Sequence, residues 1–136
     1  AFGFVDDRIG GKKTIMGTLV ALTVATAIAV WAPDRTALWV AGVLLGLFVG
    51  PNQSASRSLM GRLVPERRHA EFFGFFAFSG TATSFLGPLL LGAVTASFHS
   101  QRAGVATVMA FFVIGGVLLA MVNERKGIEG ARGGGP

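Results

Sequence analysis

Polar and apolar positions alternate along this chain in long blocks. Residues 14–32, 36–56, 72–98 and 103–122 contain no Asp, Glu, Lys or Arg. Each run is close to the roughly 20 residues a helix needs to cross the ~30 Å hydrocarbon core of a bilayer. The pattern predicts four membrane-spanning helices at about 14–32, 37–59, 72–98 and 104–122, and an all-α, polytopic membrane protein. Buried helices of a soluble core are the alternative, but four such runs in 136 residues leave too little polar surface to coat one. The first run is too long, and too far inside the chain, for a signal peptide, and no processing site follows it.

Composition agrees with this pattern. Hydrophobic residues make up 51% of the chain, charged residues 14%, and mean hydropathy is +0.61, against about 25% charged residues in a typical soluble domain. Cysteine is absent, and the two histidines, His69 and His99, fall in different loops. Disulfide, metal and nucleophilic chemistry therefore have almost nothing to work with. No cofactor and no enzyme activity are expected.

The basic residues set the orientation. Arg8, Lys12 and Lys13 precede span one; Arg57, Arg62, Arg67 and Arg68 surround the loop after span two; Arg125, Lys126 and Arg132 follow span four. Only Arg35 and Arg102 fall on the other side. The positive-inside rule puts the first set, and both chain ends, in the cytoplasm. Trp31 and Trp39 flank the loop "PDRTA" as interfacial anchors on the opposite side. The net charge of +5 is then topology and calls for no nucleic acid.

Each span carries its own signal. Span one has Gly17, Ala21, Ala25 and Ala29 at four-residue intervals, and span two has Gly42, Gly46, Gly50, Ser54 and Ser58. Small residues at this spacing let membrane helices approach closely, so both stripes predict helix-packing faces. Span three contains Gly87-Pro88, where a missing donor and a ring clash predict a kink. Thr81, Thr83 and Ser84 lie near enough to satisfy the freed backbone, a role preferred here to ligand contact. Residues 126–136, rich in glycine and charge, are expected to be a disordered cytoplasmic tail. Asn52 and Gln53 are the amide side chains within a span, and two roles fit them: lining a solute path or bonding between helices. Arg57, one turn closer to the cytoplasm, either holds Glu66 or Glu71 or guards the cytoplasmic mouth.

The opening "GFVDDRIGGKK" joins glycine freedom to both signs of charge, and positive-inside topology alone accounts for the lysines but not the aspartates. It resembles the cytoplasmic-loop signature of the major facilitator superfamily, G-x-x-x-D-R-x-G-x-K, through Gly3, Asp7, Arg8, Gly10 and Lys12. Gly11 stands where a basic residue is common. In that superfamily the signature precedes helix three and, in a second copy, helix nine. Four spans follow it here, so the resemblance implies helices nine to twelve of a twelve-helix carrier, with the chain being a C-terminal fragment.

A second stretch, "NQSASRSLMGRLVPERRHAEFFGFF", is similar to the vacuole-effluxer-like branch, the autophagy-related amino-acid effluxers and related bacterial permeases. The shared features are Gln53, Ser56-Arg57-Ser58, Arg62-Leu63, Pro65, Glu71-Phe72-Phe73-Gly74 and Gly87-Pro88.

The resemblance implies a secondary active permease of small solutes, with amino-acid efflux among its activities, working by alternating access. It implies a latch role for the loop signature and a solute path beside spans two and three, with Asn52, Gln53 and Arg57 as candidates. The implied partners are the lipid bilayer, the upstream helices of the same protein and a small solute whose identity is open. The implied location is an inner (plasma) membrane of bacterial type. No acidic residue or histidine lies inside a span, so proton coupling would depend on residues elsewhere. Two other readings stay open: a four-span oligomeric exporter, and a non-transporting membrane scaffold or assembly subunit.

Overall fold

The structure, a computed structural model, describes residues 10–133. Four long helices run α1 (Gly11–Trp31), α2 (Arg35–Leu63), α3 (His69–Phe98) and α4 (Gln101–Met121). All four are long and apolar enough to cross a membrane. A short 3₁₀ turn, Glu66–Arg68, leads into α3.

Short connections make sequential helices antiparallel. Between α1 and α2 the chain turns in three residues, and Asp34 caps the new helix by accepting a hydrogen bond from the Ala37 amide at 2.8 Å. Such a cap stabilises a helix by about 1 kcal/mol. Between α3 and α4 the turn is tighter still. His99 takes a left-handed conformation (φ 50°) and the Ser100 amide donates to the Thr95 carbonyl at 3.2 Å. The Trp31 and Trp39 side chains that flank the first turn are both largely exposed, as interfacial anchors require.

The connectivity brings Lys12, Arg62, Arg68 and Arg125 to one end of the bundle and Arg35 and Arg102 to the other. That is the segregation expected from the sequence.

The core is small and lies where α1, α2 and α4 meet near the basic end. Ile15, Ala55 and Leu59 are buried there, with Leu19, Leu63 and Leu119 packed around them. Many large apolar side chains on all four spans are exposed instead. In a bilayer this is no penalty, because lipid tails are as apolar as leucine.

Two sequence expectations need correction. The small-residue stripe of span one is its packing face only in part: Ala25 is buried and Ala21 and Ala29 half-buried, but Gly17 is exposed, and Thr14, Ile15, Thr18, Leu22 and Thr26 make up the rest of the buried face. On α2, Gly42, Gly46 and Gly50 are exposed, and a Cβ at any of them would meet nothing within 4 Å. Ala41, Ala55 and Leu59 make the contact instead. Threonine serves as well as glycine here, since its hydroxyl bonds back to its own helix and leaves a methyl to pack.

The segment beginning at residue 126, expected to be disordered, is helical as far as Gly133 within a fifth helix, α5 (Glu124–Gly133). Its half-buried residues Glu124, Gly127, Ile128 and Ala131 fall at helical spacing, and Gly127 sits against the Leu63 side chain of α2. Glycine content lowered the intrinsic helix preference, but docking on α2 overrides it.

Candidate functional site

A cleft of about 900 Å³ separates α2 from α3. Helical periodicity builds it. Asn52, Gln53, Ser56 and Arg57 project from neighbouring positions of α2. On α3 the lining residues include Phe73, Phe76, Thr81 and Ser84, which recur at three- to five-residue steps. Among the described residues α3 buries no side chain and packs chiefly on α4, so the space beside α2 stays open.

All three residues picked from the sequence as path candidates line this one cleft. They differ in how they are held. Asn52 is half-buried, and its Oδ1 lies 2.8 Å from the hydroxyl of Thr18, a buried residue of α1. Thr18 Oγ1 also lies 2.9 Å from the Ile15 carbonyl. One hydroxyl proton cannot serve both acceptors. Turning the Asn52 amide, so that its NH₂ donates to Thr18, satisfies every group at once. Either way α1 fixes the position of Asn52 in the wall of the cleft.

Gln53 and Arg57 are exposed to the cleft. Arg57 holds neither of the acids weighed for it: Glu71 pairs with Arg68 at 3.1 Å, and Arg57 makes no hydrogen bond or ion pair among the described residues.

Three of the five hydroxyls that line the cleft are turned to their own helices. Ser56 donates to the Asn52 carbonyl at 2.7 Å, Thr81 to Ala77 at 3.0 Å, and Ser84 to Gly80 at 2.8 Å. Pro88 frees the carbonyl of Ser84, four residues earlier. The Thr81 and Ser84 hydroxyls bond one turn or more before that carbonyl, so they do not repair the proline gap as expected. Helix α3 runs unbroken through Gly87 and Pro88.

A second intrahelical proline, Pro51, went unremarked in the sequence reading although it obeys the same rule. It lies immediately before Asn52 and removes the donor that the Leu47 carbonyl would otherwise receive. Thr18 was not singled out either, and Ser56 entered only as part of the family resemblance, not as a residue of the cleft. Nothing in the local sequence of Thr18 sets it apart from the other hydroxyl residues of the spans.

The loop signature enters the described structure at Gly10 and Lys12; Gly3, Asp7 and Arg8 lie outside the described residues. Gly10 caps α1 at φ 95°, a conformation that side-chain-bearing residues rarely adopt. Lys12 Nζ donates to the Ala120 carbonyl at 2.8 Å and the Val122 carbonyl at 2.5 Å. These are the last carbonyls of α4, where a cation is favoured by the helix dipole. The Lys12 amide, at the opposite pole of α1, faces Glu124 Oε2 at 3.4 Å. The loop thus ties the start of α1 to the junction of α4 and α5.

Four membrane-length antiparallel helices, a polar cleft between two of them and a basic end tied by the loop lysine define a polytopic α-helical membrane protein of the major facilitator type. The chain belongs to the vacuole effluxer Atg22-like family, whose family model matches residues 2–132. It is 34% identical over 129 residues to the uncharacterized MFS-type transporter YxiO of Bacillus subtilis, covering 94% of this chain and 30% of that protein. It is 30% identical over 95 residues to Autophagy-related protein 22 of Kluyveromyces lactis, covering 70% of this chain and 19% of that protein. The chain therefore spans less than a third of the length of either relative. No solved structure matches it.

Proposed function

We propose that this chain forms helices nine to twelve of a secondary active permease that moves small solutes by alternating access. The observation that carries the reading is the cleft between α2 and α3, in which Asn52, Gln53 and Arg57 share one polar wall within membrane-spanning helices. Polar groups are costly in a bilayer unless they pair or face a water-filled path, and carriers of this kind bind solute near the bilayer midplane. Asn52 lies eleven residues from the basic end of α2, about 16 Å at 1.5 Å per residue, and so near that midplane.

In this reading the path runs along the cleft towards the basic end, which faces the cytoplasm of a bacterial-type inner membrane. The upstream helices of the same protein complete the other wall, lipid surrounds the rest, and the loop signature acts as a latch through Lys12 and its neighbours. The solute class is amino acids, as the resemblance noted in the sequence implies, and the direction is outward, in keeping with the effluxer description of the family.

The test is transport by the whole carrier reconstituted in vesicles and offered a panel of labelled amino acids. Asn52→Leu and Gln53→Leu are expected to lower transport about tenfold while insertion is unchanged. Transport equal to wild type in both variants would remove the cleft from the path.

A further inference from the structure

We propose that Arg57 is the carboxylate-recognising residue of the cleft, with the Gln53 amide as its second donor, so that the transported solute carries a carboxylate. The inference rests on the reading of the cleft as the solute path and adds the chemistry by which the path selects.

Three observations converge on it. Arg57 is the one charged side chain among the residues that line the cleft, and no carboxylate lines it. It is exposed and makes no ion pair or hydrogen bond among the described residues, although Glu66 and Glu71 stand at the same end of the bundle. A structural arginine at this depth would be paired, because an unpaired cation in a span is costly and marks an ion or substrate pathway. Arg57 lies six residues from the end of α2, about 9 Å along the helix, which sets it near the cytoplasmic edge of a roughly 30 Å hydrocarbon core.

The third observation is where the remaining donors lie. Of the five hydroxyls that line the cleft, those of Ser79 and Thr83 are single neutral donors, while Ser56, Thr81 and Ser84 have each committed their one proton to a backbone carbonyl. What they present to the cleft is lone pairs, which repel an anion and accept from N–H groups. An anionic group in the cleft is therefore driven to Arg57, whose planar fork matches a carboxylate bidentately. Gln53 is one helical turn away on the same face, with an amide NH₂ to spare for the same group. The acceptor wall, deeper along α3, suits an N–H-bearing part of the same solute.

The experiment uses the whole carrier in vesicles, offered labelled leucine, phenylalanine and alanine beside the carboxamide of each. Wild type should move the carboxylates and discriminate against the carboxamides by about tenfold or more. Arg57→Gln should raise KM for the carboxylates about tenfold to hundredfold and erase that discrimination, with little change for the carboxamides. Arg57→Lys should restore part of it, since the charge returns without the fork. A lipid phosphate, the other anion within reach, is separated by repeating the assay in vesicles of neutral lipid. Unchanged discrimination there supports the solute carboxylate, and its loss overturns the assignment. Transport that treats acids and amides alike, or that ignores Arg57→Gln, also overturns it while leaving the solute path intact. Failure of wild type to move any of the probes removes the path reading itself, and this assignment with it.

Discussion

Lys12 and Arg102 occupy the first turns of two antiparallel spans, and each donates into the closing carbonyls of the other's helix. Lys12, at the start of α1, reaches Ala120 and Val122 at the end of α4. Arg102, at the start of α4, reaches the Ala32 carbonyl at the end of α1 through Nη2 at 2.9 Å. Each cation answers the negative pole and the orphan carbonyls of its neighbour. The pair brackets the contact between α1 and α4 from both membrane faces and makes these two helices a unit.

Removing either cation should therefore loosen that unit. Lys12→Met and Arg102→Met keep the aliphatic stem and delete the donor, and each is expected to lower stability by about 1–2 kcal/mol. The two sites are separated by the length of the helices, so the double variant should be additive within about 0.5 kcal/mol. Unfolding of the purified carrier in mixed micelles measures both quantities. A single variant as stable as wild type would reduce its contact to a surface coincidence.

Thr18 and Asn52 link α1 to the wall of the cleft at 2.8 Å. Interhelical hydrogen bonds in membranes average about 0.6 kcal/mol and reach about 1.7. Thr18→Val keeps the shape and removes the hydroxyl, so the expected loss is modest in stability but visible in transport, because Asn52 is freed to turn. Thr18→Ser should retain wild-type transport. If Val and Ser behave alike in a transport assay, Asn52 is held by packing and the hydroxyl is incidental.

How much of this was legible in the sequence follows the physics. Span number, order and sidedness of charge could be read directly, because charge is costly in lipid and lipid length is fixed. The path candidates were legible for the same reason: Asn52, Gln53 and Arg57 stood out against apolar neighbours. Partners were not. That Lys12 would cap α4, more than a hundred residues away, depends on which helices pack together, and periodicity does not encode it. The glycine stripe of α2 pointed to a packing face that stays open among the described residues, while on α1 threonines joined Ile15, Leu22 and Ala25 in making the contact. The α5 helix escaped because it docks on the end of α2, beside Leu63, and its own composition does not announce that contact.

Ile128 faces a pocket it shares with Val64 and Pro65, and it is the one large apolar residue of α5. Ile128→Asn should undock the helix. A ten-residue helix without a tertiary partner is marginal in water, so the segment should become a substrate for trypsin at Arg125 and Lys126. Limited proteolysis of inside-out vesicles, compared with wild type, checks this. Equal cleavage rates would mean that α5 is held by contacts other than Ile128.

Gly104 and Thr95 lie in close contact where α3 and α4 meet. A Cβ at position 104 would collide with Thr95 Oγ1 and stand 3.0 Å from the Leu91 carbonyl, so Gly104 is needed for space. The Thr95 hydroxyl is itself buried and has no hydrogen-bond partner among the described residues. These facts predict an unequal set of outcomes. Gly104→Ala should destabilise by about 1–3 kcal/mol through overpacking, despite the roughly 1 kcal/mol that alanine gains in helix preference. Thr95→Ala should be neutral or slightly stabilising, since it deletes an unsatisfied polar group. The double variant should recover only part of the loss, because the Leu91 carbonyl is backbone and cannot withdraw as a side chain can. Unfolding midpoints of the three variants in one detergent decide the matter. Full recovery would mean that Thr95 alone sets the spacing, and no recovery would mean that the α3 backbone does.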